Sequence, residues 1–534
     1  MRSGKKPVIK EYILCFIFSF LYAFACSAGK WFDREGILNE DFRAFYLPLV
    51  LITAGTFVFL VGGRKLWKLI NLKLLSLPVK EYPKTDRIKA AVPVLIWTVG
   101  LLGIFPGIFS YDAVEEYERI RDMEITSHHP VLHVVILGGL VNFFEKLGNA
   151  NIGICIYVLA QLAVYAYVLS RLVKLFRKTK IREWLQWILI AFYSLSPVMD
   201  MMAISTTKDA IFTAFELWLC IVFLDRRTDA ATSKLKTSQI ASLIIASLGT
   251  MIFRKNGIYM VIVALVVFFL HEKVSKKALT VSYIIIAAIY MCYVGPFYRL
   301  LNVESGSVRE ALSVPIQQLA RVYKYDYSSF SQDDLGVMYE VIPEEYWGRY
   351  IDTVSDPVKA GLNDEALKRN LVEFFKVWLK TGINHPKLYL DSFLVNTHDY
   401  WYPFAIFDGY KGLYGVSTTD SNFYLYCVYE PGQAAAILPA LNRYFTTIST
   451  NYDLGSKLPW SIIMNPAWYL FLWLGCVFID IIKKNKLRME VHVLLGMGLL
   501  TVLMGPIAQV RYVFFIYAAL PLYFVSLPTS SDGV

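Results

Sequence analysis

The sequence predicts an all-α polytopic membrane protein: about twelve transmembrane helices with a mostly helical extracytoplasmic domain. Three observations carry this. Of 534 residues, 56% are hydrophobic and only 18% charged, a balance soluble domains do not reach. The apolar residues gather in runs of roughly 15 to 25, long enough to cross a bilayer. The net charge of +10 falls largely in short loops between those runs. Basic short loops mark the cytoplasmic side, so the charge reports orientation and argues for no nucleic-acid partner.

In chain order the candidate spans are 11–28, 44–63, 90–107, 151–173, 184–199, 209–224, 239–253, 257–270, 278–296, 462–482, 491–507 and 510–527. The first follows a basic stretch and is expected to be retained, because its apolar run is long for a signal peptide. Ala25-Cys26-Ser27-Ala28 keeps cleavage as the alternative. The seven cysteines show no paired spacing, hence neither a disulfide framework nor a zinc site. The spans appear nearly free of buried charge, which argues against a transporter.

One run, Val131 to Leu147, is decided by parity. If it crossed, the basic loops at 174–183, 225–238, 271–277 and 483–488 would face outward. Leaving it as a helix at the outer interface puts both termini and all the main basic loops inside. Gly138-Gly139 is expected to break its middle. The organisation is then a two-span addition (1–89), a core (90–296) whose first outer loop is 108–150, an extracytoplasmic domain (297–461) and a three-span end (462–534). Segment 297–461 reads as mostly helical, with helical patterns at 308–323 and 364–380. Aromatic-rich loops follow at 397–415 and 422–430, either a groove for sugars or lipid or interfacial anchors.

The outer loop 108–150 carries most of the chemistry. Six acidic residues lie between Asp112 and Glu124, followed by His128, His129 and His133. In helical geometry Asp112, Glu115, Glu116 and Arg119 share a face. That is either a solvated, salt-bridged surface or a carboxylate base with neighbours that position substrate or metal. His129 and His133 have one-turn spacing, but no further ligand stands at a convincing spacing for zinc. A histidine that hydrogen-bonds substrate or Asp112 fits better.

STTKDAIF (205–212) opens a span with capping residues, Asp209 in the first turn and Lys208 beside a helix N-terminus. The choice is between a phosphate site and a lysine reaching the headgroups. FRKNG (253–257) supplies a tight turn at Asn256-Gly257 and strands Arg254 and Lys255 on the outer side. Arg511 is a similar exception, and an anionic lipid phosphate is the natural partner for such cations; Arg321 is another, or else an ordinary surface arginine of the 297–461 segment. No nucleotide-binding loop is present, so a transferase on this face needs a lipid-linked donor.

GIFSYD, TSHHPVLH, STTKDAIF, FRKNG, PIQQLARV and VRYVFF, in this order, resemble the GT-C class of membrane glycosyltransferases, and within it an uncharacterised bacterial family. The resemblance covers about residues 90 to 520. It implies that Asp112 is the catalytic carboxylate and that the donor is a polyprenyl-phosphate sugar. The acceptor is then an extracytoplasmic glycan, lipid or protein, and transfer is inverting. Glu115, Glu116, His128, His129, Lys208, Asp209, Arg254, Asn256, Arg321 and Arg511 are the expected substrate-binding residues. Many members carry an acidic pair where this chain has Asp112-Ala113, so a divalent metal stays open as a cofactor. The competing readings are a polymerase or ligase using a lipid diphosphate donor, and a transporter or scaffold.

Overall fold

The computed structural model describes residues 9–75, 85–110, 112–229, 233–405, 428–450 and 457–525, with backbone alone at 64–75 and 449–450. Every regular element among them is helical. Much of the aromatic-rich loops, Cys427 and part of the first basic loop lie outside the described residues.

Helices α1 (Ile9–Glu35), α2 (Leu47–Leu75) and α3 (Asp86–Gly103) lead to two short helices, α4 (Asp112–Arg121) and α5 (Val131–Lys146). The bundle continues with α6 (Ala150–Lys178), α7 (Glu183–Leu195), α8 (Pro197–Ala203), α9 (Lys208–Arg227), α10 (Thr237–Ile252), α11 (Gly257–His271) and α12 (Lys276–Cys292). After the 297–461 segment come α18 (Pro466–Lys483) and α19 (Met489–Leu503), then irregular helix to Phe524. That segment contributes α13 (Ser313–Tyr325), α14 (Gln332–Val341), α15 (Asp364–Asn384), α16 (Pro386–Trp401) and α17 (Pro439–Thr450).

Among the described residues five helical segments are long and apolar enough to cross a membrane: Ile9–Glu35, Phe42–Gly63, Ala150–Lys178, Lys276–Leu300 and Pro466–Lys483. The pair α7 and α8, bent by 59°, makes a sixth if it is one span. A helix stands at each of the other expected positions, but α10, α11 and α19 have only 15 or 16 residues. At 1.5 Å per residue they reach about 24 Å, short of a typical hydrocarbon core. The described residues are thus all-helical, and the chain is compatible with a membrane protein.

The core explains why α9 is central. Its apolar residues point in every direction, from Ala210 and Phe212 to Phe223 and Leu224, and nearly all are buried. It also buries Glu216, whose two carboxylate oxygens lack hydrogen-bond partners, as does one oxygen of buried Asp200. The expectation of spans nearly free of buried charge is corrected here; single acids inside apolar runs do not lower the run's hydropathy enough to show.

Loops of opposite character gather at the two ends. At one end Lys89 meets Glu183 at 2.7 Å, and Lys178 meets Asp225 and Asp229 at 2.7 Å each. There too Arg226 is bound by Glu272, and Arg227 and His271 by Glu490. The far end holds α4, α5 and the acidic loop. Helix α5 is continuous, so Gly138-Gly139 does not break it. Instead Gly138 lets α4 approach: a Cβ there would lie 2.6 Å from the Glu116 carbonyl oxygen. Segment 297–461 has its own core around Ile316, Leu319, Met338, Trp347 and Phe374, and α16 packs on α1 and α18.

Candidate functional site

Backbone pairing brings the acidic loop to the start of α9. Ile108 lies parallel to Ser205, donating to the Ile204 carbonyl at 3.1 Å and accepting from Thr206 N–H at 2.9 Å. Gln161 of α6 holds the same strip by donating to the carbonyls of Ala203 and Ser205, each at 2.9 Å. The first residue of α4, Asp112, therefore faces the first residue of α9, Lys208. Thr207 caps α9 by accepting from the Asp209 N–H at 3.1 Å.

A third strip comes from the turn after α19, clasped by the 297–461 segment. Ser355 N–H donates to the Pro506 carbonyl at 2.9 Å, and Gln509 N–H to the Tyr400 hydroxyl at 2.9 Å. This delivers Arg511. Its guanidinium stands 2.9 Å from Asp112 Oδ2, the same oxygen that Lys208 Nζ approaches at 2.5 Å. Arg511 also lies 3.9 Å from Asp209, which binds Arg254 at 3.1 Å. Lys208, Asp112, Arg511, Asp209 and Arg254 thus form one chain of alternating charge.

Lys208, Asp112, Arg511 and Arg254 border a cleft of about 590 Å³. Of the residues expected from sequence, Asp112, Glu115, His128, His129, Lys208, Arg254, Asn256 and Arg511 line it. Glu116 and Asp209 lie behind the wall, with 0% and 1% exposure. Glu116 binds His133, whose other nitrogen meets the Tyr157 hydroxyl at 2.7 Å. Arg321 is corrected outright. It is buried in the 297–461 core, donating to the Tyr350 hydroxyl at 3.0 Å, Asp352 at 3.1 Å and the Gly36 carbonyl at 2.7 Å. It ties that segment to the end of α1.

The cleft also takes Lys255, Arg309, Glu310, Asp356, Lys359, Gln509 and Tyr512. Lys255 was visible as a stranded cation. Arg309 and Glu310 resembled an ordinary surface helix, and Asp356 and Lys359 carried no motif. Lys359 binds Glu310 and Asp356 at 2.8 Å each. Among the described residues no carboxylate lies within ion-pairing distance of Lys255, which leaves it an open cation on the cleft wall.

The electrostatics follow from this crowding. Burial opposes ionisation of Asp112, yet Arg511, Lys208 and His129 hold its carboxyl well below the usual carboxylate range. The His129 hydrogen bond brings Glu115 down to about 2. Burial, with His129 beside it, pushes His128 down to about 4. Because an unfolded His128 takes its proton first, near 6.5, folding stability is expected to fall as pH drops from about 6.5 to about 4. Melting midpoints across that window should decline less for His128→Gln than for the wild type.

Glu115, His128 and His129 place one donor atom each within 4.8 Å of one another and could hold a divalent cation. The Lys208 ammonium, 3.0 Å from His129 Nδ1, occupies that nitrogen's face.

Residues 120–531 match the model of a family described as a family of unknown function (DUF6020). The matched span includes His128, His129, Lys208, Arg254 and Arg511 and starts just after Asp112, Glu115 and Glu116. No curated protein and no solved structure matches the chain.

Proposed function

The chain belongs to the DUF6020 family of unknown function, and we propose that it is a membrane glycosyltransferase with Asp112 as general base. It would move a sugar from a polyprenyl-phosphate donor to an extracytoplasmic acceptor, with inversion. The observation that carries the reading is Asp112 itself: a carboxylate on a cleft wall, gripped by Lys208 and Arg511, with Lys255 open beside them.

The grip sets the order of events. A carboxylate paired to two cations is a weak base, so Lys208 and Arg511 together hold Asp112 inactive. An anionic donor phosphate that engages Lys255 also draws Lys208 and Arg511 toward itself. Relieved of part of their field, Asp112 becomes basic enough to take the acceptor hydroxyl's proton. The acceptor oxygen then attacks the anomeric carbon, and the cations stabilise the departing lipid phosphate.

The reading takes the chain as twelve spans with both termini cytoplasmic, and the cleft on the outer face. Cysteines placed at exposed Ser329 and Lys234, each in an otherwise cysteine-free background, test this. Impermeant maleimide applied to intact cells should label the first and spare the second; the reverse pattern overturns the topology.

The activity test is turnover of a panel of polyprenyl-phosphate sugars by the purified protein, with product inversion read by NMR. A proton-coupled transporter is the second reading, favoured by buried Glu216, neither of whose carboxylate oxygens has a hydrogen-bond partner, and by one such oxygen of Asp200. Proteoliposomes showing proton uptake that Glu216→Gln abolishes, with no sugar transfer, would replace the first reading by the second.

A further inference from the structure

A second cavity lies at the opposite end of the bundle, away from the candidate active cleft. Helices α18 and α19 are consecutive and joined by a short turn, yet they lean on different neighbours, α18 on α1 and α16 and α19 on α11. The gap between them is a groove of about 540 Å³. Its character changes along its length. Lys484 and Lys486, both exposed, stand at the mouth. One turn further in is His492, whose Nδ1 is buried without a hydrogen-bond partner. Below that the walls are apolar, with Val477, Leu474 and Trp473.

We propose that this groove is a binding site for an anionic phospholipid of the leaflet at the basic end. The gradient matches the molecule: lysines for the headgroup phosphate and, deeper, an apolar slot for an acyl chain. The one carboxylate on the wall does not oppose the phosphate. Asp480 is neutralised by Arg488, with two contacts at 2.7 Å, and by His492 Nε2 at 2.9 Å. That bond fixes the ring so that Nδ1 faces away from Asp480. Among the described residues no carboxylate lies within ion-pairing distance of Lys484 or Lys486, which leaves their charge for a ligand. This site does not depend on the glycosyltransferase reading.

Trp473 provides the reporter. The full-length protein is placed in nanodiscs holding a low fraction of phospholipid brominated on its acyl chains, as either phosphatidylglycerol or phosphatidylcholine. The chain has 12 tryptophans, so the groove's share of quenching is the difference between wild type and Trp473→Phe. That share should be several-fold larger with brominated phosphatidylglycerol. The double variant Lys484→Gln, Lys486→Gln, altered only at exposed positions, should bring the two lipids level. Equal quenching by both headgroups in the wild type would overturn the proposal, marking the groove as ordinary annular contact. So would the lack of any Trp473-dependent component, the result expected if a second copy of the chain covers the groove.

Discussion

Asp112→Asn is expected to lower sugar transfer by about 10²–10⁴-fold while the protein stays folded and still binds donor. The substitution keeps the shape of the side chain and removes proton acceptance. It also removes the negative charge that Lys208 and Arg511 share, and breaking a buried ion pair costs about 3–5 kcal/mol when the partner has nowhere to turn. Here the cost is expected to be smaller, because the Asp112 side chain retains 20% exposure and Arg511 has Asp209 within 3.9 Å. Donor affinity should hold or rise, since the freed cations face a phosphate without competition. Melting curves and donor titrations on the same preparation separate lost chemistry from lost structure.

The neighbouring glutamates divide differently from what helical spacing suggests. Glu115 contacts Arg119 at 3.1 Å and His129 at 3.1 Å, whereas Arg121 pairs with Asp122. Glu115→Gln should therefore cost little turnover. Glu116 is no solvated partner of an arginine; it lies beneath His133, and Glu116→Gln should act first on stability. Full activity in Asp112→Asn with loss in Glu115→Gln would move the base to Glu115.

The cleft was legible where charge stood against its surroundings. Lys208, Arg254 and Arg511 are cations at the ends of apolar runs on the side where short loops carry few of them. Asp112 follows a span directly. Each departs from local composition, and all four meet. Arg321 failed the same test for a physical reason: a lone arginine in a polar segment has no background to stand out from, and its role depends on burial that spacing does not encode. Lys359 and Asp356 were invisible for that reason too, since they reach the cleft only through the fold of the 297–461 segment. The helices were legible from apolar runs, but not the number that cross a bilayer. Helices such as α10 and α11 have lengths that suit either a short span or a buried core helix, and sequence alone does not weigh their neighbours.

Arg511→Gln is expected to change the pH dependence of transfer as well as its rate. Arg511 and Lys208 both hold Asp112 ionised to unusually low pH. With a depressed folded pKa, the stability the pair contributes is complete above the ordinary carboxylate value near 3.8 and disappears only as pH falls through the lower folded value. Removing Arg511 leaves burial, which favours the protonated acid, opposed mainly by Lys208 and His129. The acid limb of kcat/KM should therefore move to higher pH in Arg511→Gln. Loss of one phosphate-stabilising charge should also lower kcat by about 10²–10³-fold. Arg511→Lys keeps a cation but not the planar fork that spans Asp112, Gln509 and Tyr512, so it should restore the limb more fully than the rate. A purely structural arginine would lower activity at every pH by the same factor. An unmoved acid limb in Arg511→Gln, with the fold intact, would mean that Asp112 is not the group whose ionisation limits transfer.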